Sequence, residues 1–163
     1  MDRPLLGSEF VTLTRRLVLS GLAALAAAPA AAGTRPTVRV TKDPHCGCCN
    51  GWIDHLRAAG FDVEAVDSAD LNRVKARLGV PQALASCHTA EVAGYVVEGH
   101  VPAGAIERLL AEKPAARGLA VPGMPIGSPG MEVEGAEPDT YEVILFGPSG
   151  RSVFVRYRGA APV

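Results

Sequence analysis

The chain has 163 residues, a formal net charge of −1, and an apolar fraction of 48%. That is enough for one ordinary hydrophobic core. Aromatic residues make up only 5%, and no stretch of the chain forms a basic patch, so a nucleic-acid-binding surface is excluded.

The first predicted segment is an export signal over residues 1–32. Arg15-Arg16 precedes an apolar run from Leu17 to Ala28, and Pro29-Ala30-Ala31-Ala32 follows as a small-residue cleavage site. The run is too short and too alanine-rich for a membrane span, so none is expected after cleavage. Thr14-Arg15-Arg16-Leu17-Val18-Leu19 fits a twin-arginine signal, and an ordinary secretory signal fits equally. Residues 33–163 are then expected to be a single domain with 13 basic against 15 acidic side chains. The expected destination is the periplasm, where disulfides persist.

Thr37 to Thr41 alternates polar and apolar residues and reads as a first strand. Lys42-Asp43-Pro44-His45-Cys46-Gly47-Cys48-Cys49-Asn50-Gly51 follows as a turn, with a helix from Trp52 to Gly60. In that helix Trp52, Leu56 and Ala59 share one face, and His55 falls on the outer, solvated face. Phe61 to Val66 is a second strand. A second helix capped by Ser68 or Asp70 turns Leu71, Val74 and Leu78 inward and ends at Gly79-Val80-Pro81. Residues 85–94 run from a loop into a third strand, and Tyr95 to Val101 forms a fourth, paired to it through Ala93-Gly94. Pro102 opens a third helix whose stripe is Ala105, Ile106, Leu109 and Leu110, and Lys113-Pro114 closes it. Residues 118–132 carry so many Gly and Pro that they are expected to be an ordered surface loop, neither helix nor inner strand. Thr140–Phe146 and Ser152–Tyr157 read as a terminal hairpin around Gly147-Pro148-Ser149-Gly150.

The order β-α-β-α-β-β-α resembles the thioredoxin/glutaredoxin architecture. The expected fold class is α/β, a three-layer thioredoxin-like fold with a Gly/Pro-rich loop and a C-terminal β-hairpin appended. In such a fold, sites form beyond the carboxyl ends of the parallel strands. The cysteine turn lies at that edge. An antiparallel third strand starts there, which brings in Cys87 and His88, and the fourth strand returns there with His100. Cys87-His88 stands where thioredoxins carry a cis-proline loop.

Cys46-x-x-Cys49 alone fits a redox pair or a structural disulfide. The additional thiol at Cys48 and a fourth at Cys87 shift the balance toward a soft metal, because thiolates select Cu(I), zinc or iron–sulfur clusters. An oxidised form with two bridges, such as Cys46–Cys49 and Cys48–Cys87, also fits the count. Adjacent Cys48 and Cys49 suit a single tetrahedral zinc poorly, whereas Cu(I) ions bridged by thiolates tolerate them. The candidate metal ligands are therefore Cys46, Cys48, Cys49 and Cys87, with His45, His88, His100 and Met124 as further ligands or partners of ligands. If the site is redox-active, Cys46 is the nucleophile and Cys49 the resolving thiol.

Lys42-x-Pro44-x-Cys46-Gly47-Cys48-Cys49-x-x-Trp52, Ser86-Cys87-His88-Thr89, Gly99-His100-Val101-Pro102 and the stretch Gly118 to Glu132 together resemble the CopG-like copper-resistance family, domain of unknown function 411. The resemblance spans about residues 37–158. It implies a periplasmic thioredoxin-like protein that binds copper through Cys46, Cys48, Cys49 and Cys87, with a redox role in copper detoxification. Three functions are carried forward: a Cu(I)-binding resistance protein that couples thiol redox to Cu(I)/Cu(II) interconversion, a thiol–disulfide oxidoreductase, and a passive copper chaperone serving an efflux or chaperone partner.

Overall fold

The computed structural model describes residues 35–163, and the expected export signal over residues 1–32 lies outside the described residues. The element order is β1 (Val38–Lys42), α1 (Gly47–Ala58), β2 (Val63–Asp67), α2 (Leu71–Leu78), a 3-10 turn (Gln82–Leu84), β3 (His88–Val92), β4 (Tyr95–Glu98), α3 (Ala103–Glu112), β5 (Gly118–Ala120), β6 (Thr140–Gly147), β7 (Gly150–Arg158) and β8 (Ala161–Pro162). One mixed sheet joins the strands in the order β2-β1-β3-β4-β5-β6-β7-β8. β1 pairs with β2 in parallel and with β3 antiparallel, and β4 pairs with β5 in parallel.

Local sequence explains each helix. In α1, Cys49, Trp52, Ile53 and Leu56 recur at the three-and-four spacing that gives one buried stripe. Asp70 caps α2 by accepting the Arg73 N–H, and Gly79 ends it in the left-handed conformation. α3 buries Ala103, Ala105, Ile106 and Leu109. Side chains alternate across the sheet, and the core divides accordingly. One cluster holds Trp52, Leu56, Ile106 and Leu109 against Val38, Val40, Val97, Leu119 and Val143. The other holds Leu78, Val80 and Leu84 against Val96, Ala120 and Phe146. α1 and α3 thus cover one face, and α2 covers the opposite one.

Three expectations need correction. α1 begins at Gly47, before Trp52, so Cys48 and Cys49 lie inside its first turn. Residues 118–120 form an inner strand, β5, between β4 and β6, although they fall in the stretch read as a loop. The glycine there has a positive reason: a Cβ on Gly118 would sit 1.8 Å from the Val96 carbonyl oxygen. The Pro-rich loop starts only at Pro122. The C-terminal hairpin is consequently a continuation of the sheet, and a short β8 extends it. The inward face of α2 also differs, because Lys75 is buried beside Leu78 while Leu71 and Val74 are only partly covered.

Candidate metal centre

The site begins where β1 hands over to α1. The Asp43 carboxylate accepts the His45 N–H at 2.8 Å and its carbonyl accepts the Cys46 N–H at 3.1 Å, which folds the turn tightly. Cys46 then occupies the N-cap without capping through its side chain. Cys48 and Cys49 follow at the helix start, where unpaired N–H groups and the helix dipole favour anionic sulfur. Cys46 and Cys49 are joined in a disulfide, whereas Cys48 and Cys87 are free thiols.

Sheet register delivers the fourth cysteine. Lys42, the last residue of β1, faces His88, the first of β3. Cys87 therefore stands at the carboxyl edge of β1, as the sequence predicts. Its sulfur lies 3.9 Å from that of Cys48, which is 3.5 Å from Cys46 Sγ. Cys49 Sγ is 3.7 Å from the Cys87 carbonyl oxygen. All four sulfurs lie within 4.8 Å of one another.

Two imidazoles complete the cluster. His100 Nε2 is 3.0 Å and His88 Nδ1 3.2 Å from Cys87 Sγ. His100 Nδ1 is 2.8 Å from the Pro129 carbonyl. A carbonyl only accepts, so Nδ1 carries the proton and Nε2 presents its lone pair to Cys87. His88 is fully buried, its ring 4.3 Å from Trp52, and its Nε2 has no hydrogen-bond partner. Trp52 is the expected anchor: it is completely buried and its indole N–H donates to the Val101 carbonyl at 2.8 Å.

Burial first, then the neighbouring Cys48, pushes the Cys87 thiol up to about 12. Without metal, then, Cys87 is a protonated thiol at neutral pH. Desolvation holds His88 well below the ordinary histidine range, helped by the repulsion that a proton on it would meet from a protonated His100 and from Lys75. Desolvation also lowers His100, opposed by its bond to Pro129 and by Glu132. Both rings are thus neutral lone-pair donors, the form a soft or borderline metal requires.

The Gly/Pro-rich loop covers the helix entrance. Gly130 has φ +83°, and a Cβ there would lie 2.5 Å from both the Cys48 carbonyl oxygen and the Trp52 nitrogen. Only glycine lets Pro129 reach His100 along this path.

Of the expected site residues, the structure brings together Cys46, Cys48, Cys49, Cys87, His88 and His100. His45 stands apart, its side chain 92% exposed and directed to Asp43. Met124 is half exposed, one residue beyond Gly123, whose carbonyl accepts the Ser86 hydroxyl at 2.5 Å. His55 is not solvated as its helical position suggests: its Nε2 accepts the Ala103 N–H at 3.0 Å at the start of α3. The motifs give no hint of Lys75 and Glu98, which with Thr89 form a hydrogen-bonded group buried behind Cys87. A charged residue closing the apolar run Tyr95-Val96-Val97 was the available signal.

A family model described as "Protein of unknown function, DUF411" matches residues 84–131. Two solved structures are similar over most of the chain. "Copper resistance protein copG- Form 1" shares 47% identity, covers 77% of this chain and 99% of its own, and has a TM-score of 0.70. "Copper resistance protein copG- Form 2" shares 47% identity, covers 76% of this chain and 98% of its own, with the same TM-score. No curated protein matches.

Proposed function

The chain belongs to the CopG-like DUF411 family, and from that premise we propose that it is a copper-resistance protein that takes Cu(I) as cargo in its cysteine nest. The observation that carries this reading is the convergence of four cysteine sulfurs within 4.8 Å. Soft sulfur donors favour Cu(I), and adjacent Cys48 and Cys49 suit thiolate-bridged Cu(I) ions, one or several, better than a single tetrahedral zinc. His88 and His100 add neutral nitrogen donors beside Cys87. His45, Met124 and the remaining loop stand further out, as groups that meet copper on entry.

The disulfide supports redox coupling. Passing from the Cys46–Cys49 disulfide to two thiols consumes two electrons and two protons. Two Cu(I) ions oxidised to Cu(II) supply those electrons, and the reverse process returns them. The fold we assign is thioredoxin-like, on the strength of the βαβ start, the antiparallel β3–β4 pair and helices on both faces. The site of action we assign is the periplasm, from the expected signal over residues 1–32. No helix among the described residues is long and apolar enough to cross a membrane. An efflux or chaperone protein is the partner this function requires.

Anaerobic Cu(I) titration of the fully reduced protein tests the proposal. Thiolate-to-copper charge-transfer absorption should grow to saturation at one or more ions per chain, and Cys87→Ala should bind more weakly with fewer sulfurs. Saturation identical in Cys87→Ala would refute a shared nest. A second reading, thiol–disulfide exchange by Cys46 and Cys49, draws on the observed disulfide. It requires metal-free protein to reduce insulin disulfides, and Cys49→Ala to trap mixed disulfides.

A further inference from the structure

Lys75 and Glu98 donate nothing to the metal nest, yet they form a buried ion pair directly behind it. Glu98 closes β4 with a carboxylate fully removed from solvent, and Lys75 reaches it from α2 at 2.6 Å. A pair this deep is an expensive way to hold two elements together, because apolar residues of the same volume often serve as well or better. The other bonds of the carboxylate point to a further role. Glu98 Oε1 accepts the Ser86 N–H at 2.6 Å. Oε2 accepts the Thr89 hydroxyl at 2.6 Å, and that hydroxyl in turn accepts from Lys75 Nζ at 2.9 Å. Ser86 and Thr89 flank Cys87-His88. One carboxylate therefore grips the main chain just before Cys87 and the side chain just after His88.

The four sulfurs differ in how they are held. Cys46, Cys48 and Cys49 belong to one helix start, and a disulfide ties two of them. Cys87 comes from a separate segment, between the 3-10 turn and β3. Its sulfur stays 3.9 Å from Cys48 only if that segment is fixed by bonds of its own. The sheet register at His88 and the Ser86 hydroxyl bond to Gly123 supply part of that fixing, and Glu98 adds bonds on both sides of Cys87-His88, with Lys75 holding its carboxylate in orientation.

We propose that Glu98, oriented by Lys75, is the positioning residue that sets the Cys87 sulfur against Cys48, and so makes the nest a preformed site for a thiophilic ligand. The identification of that ligand as copper rests on the function proposed above. The positioning itself does not.

The test uses the protein with its Cys46–Cys49 disulfide intact, which leaves only Cys48 and Cys87 free. Phenylarsine oxide condenses with two neighbouring thiols, forming two arsenic–sulfur bonds and releasing water, and so reads their proximity without any metal. Two double variants are compared: Lys75→Met with Glu98→Gln, and Lys75→Met with Glu98→Leu. Both discharge the pair, so neither leaves a buried charge stranded, and both should fold. Only the glutamine variant keeps a partner for each group: its Oε1 accepts the Ser86 N–H, and its amide N–H donates to the Thr89 hydroxyl oxygen that Lys75 no longer occupies. Wild type should bind one equivalent, and the glutamine variant should match it within about threefold. The leucine variant should bind about tenfold or more weakly, because both the Ser86 N–H and the Thr89 hydroxyl lose their partner and the Cys87 segment is freed. Its disulfide should remain intact, and although the unpartnered groups lower its urea midpoint below that of the glutamine variant, it should remain fully folded without denaturant. Equal arsenical binding by the two variants would overturn the proposal, as would wild type failing to bind one equivalent. Cu(I) titration of the reduced proteins separates the two claims. Absence of Cu(I) binding by wild type alongside the expected arsenical order would remove the copper reading and leave the positioning role standing.

Discussion

At the scale of single residues, the cysteines show their chemistry in the sequence and the histidines do not. Four thiols, three of them within four positions, admit few readings in one chain. A histidine is ambiguous until its neighbours are known. His55 sits on a face of α1 that helical periodicity assigns to solvent, but the packing of α3 brings the Ala103 N–H onto its ring. That bond makes a prediction whose sign follows from protonation. Burial lowers the His55 pKa below its ordinary value, so the unfolded chain takes up the proton more readily than the folded one. The stabilisation is fully present above about pH 6.5 and is lost as pH falls through the lowered folded value, because imidazolium cannot accept a hydrogen bond. Urea unfolding of metal-free His55→Ala should show a loss of about 1 kcal/mol at pH 7.5 and a smaller difference near pH 5. A difference that grew on acidification would contradict the assignment. Cys87 gives a second prediction. Its thiol is pushed up to about 12, so Cu(I) must displace a proton to bind there. Affinity should rise by about tenfold per pH unit for each proton displaced, between pH 6 and 9. A pH-independent affinity would mean that Cys87 is not a ligand.

At the scale of elements, periodicity located the helices and the longer strands because each buries one clear stripe. It failed at β5, where only three residues pair on both sides. Gly118 contributes no side chain to a pattern, and its Gly/Pro-rich neighbours look alike whether they are loop or strand. What identifies it is the closeness of the Val96 carbonyl, which only coordinates reveal. Periodicity counted from Trp52 starts the helix five residues late for a different reason: Cys49 opens the buried stripe, but in the sequence it reads as one of a thiol cluster, not as an apolar position. The loop after β5 makes the element-scale prediction. Gly130→Ala adds a methyl against the Cys48 carbonyl and the Trp52 nitrogen, at a backbone angle that alanine adopts with strain. The loop must then lift away from α1, taking Pro129 from His100. Gly130→Ala should lower stability by about 1–3 kcal/mol and weaken Cu(I) binding with all four cysteines present. Wild-type stability together with wild-type copper affinity would show that the loop does not brace the site.

At the scale of the whole molecule, the sheet joins the N-terminal site to a C-terminal hairpin that the sequence presents as an appendage. Val143, Tyr141 and Tyr157 belong to the same core cluster as Val38 and Trp52. A chain ending at Glu112 would leave β4 without its inner neighbour and expose that cluster. It should therefore lose cooperative unfolding, with calorimetry showing no single sharp transition. The convergence of Cys87 was legible because strand direction alone decides it: β3 starts where β1 ends. The clamp behind it was not legible, since Lys75 and Glu98 meet only through the tertiary packing of α2 on β4. The most direct measurement of the shared nest is X-ray absorption at the copper edge on reduced, Cu(I)-loaded protein prepared without air. The nest predicts a first shell dominated by sulfur in wild type, with fewer sulfur neighbours per copper in Cys87→Ala. A shell of nitrogen and oxygen, or an identical sulfur shell in both proteins, would contradict it.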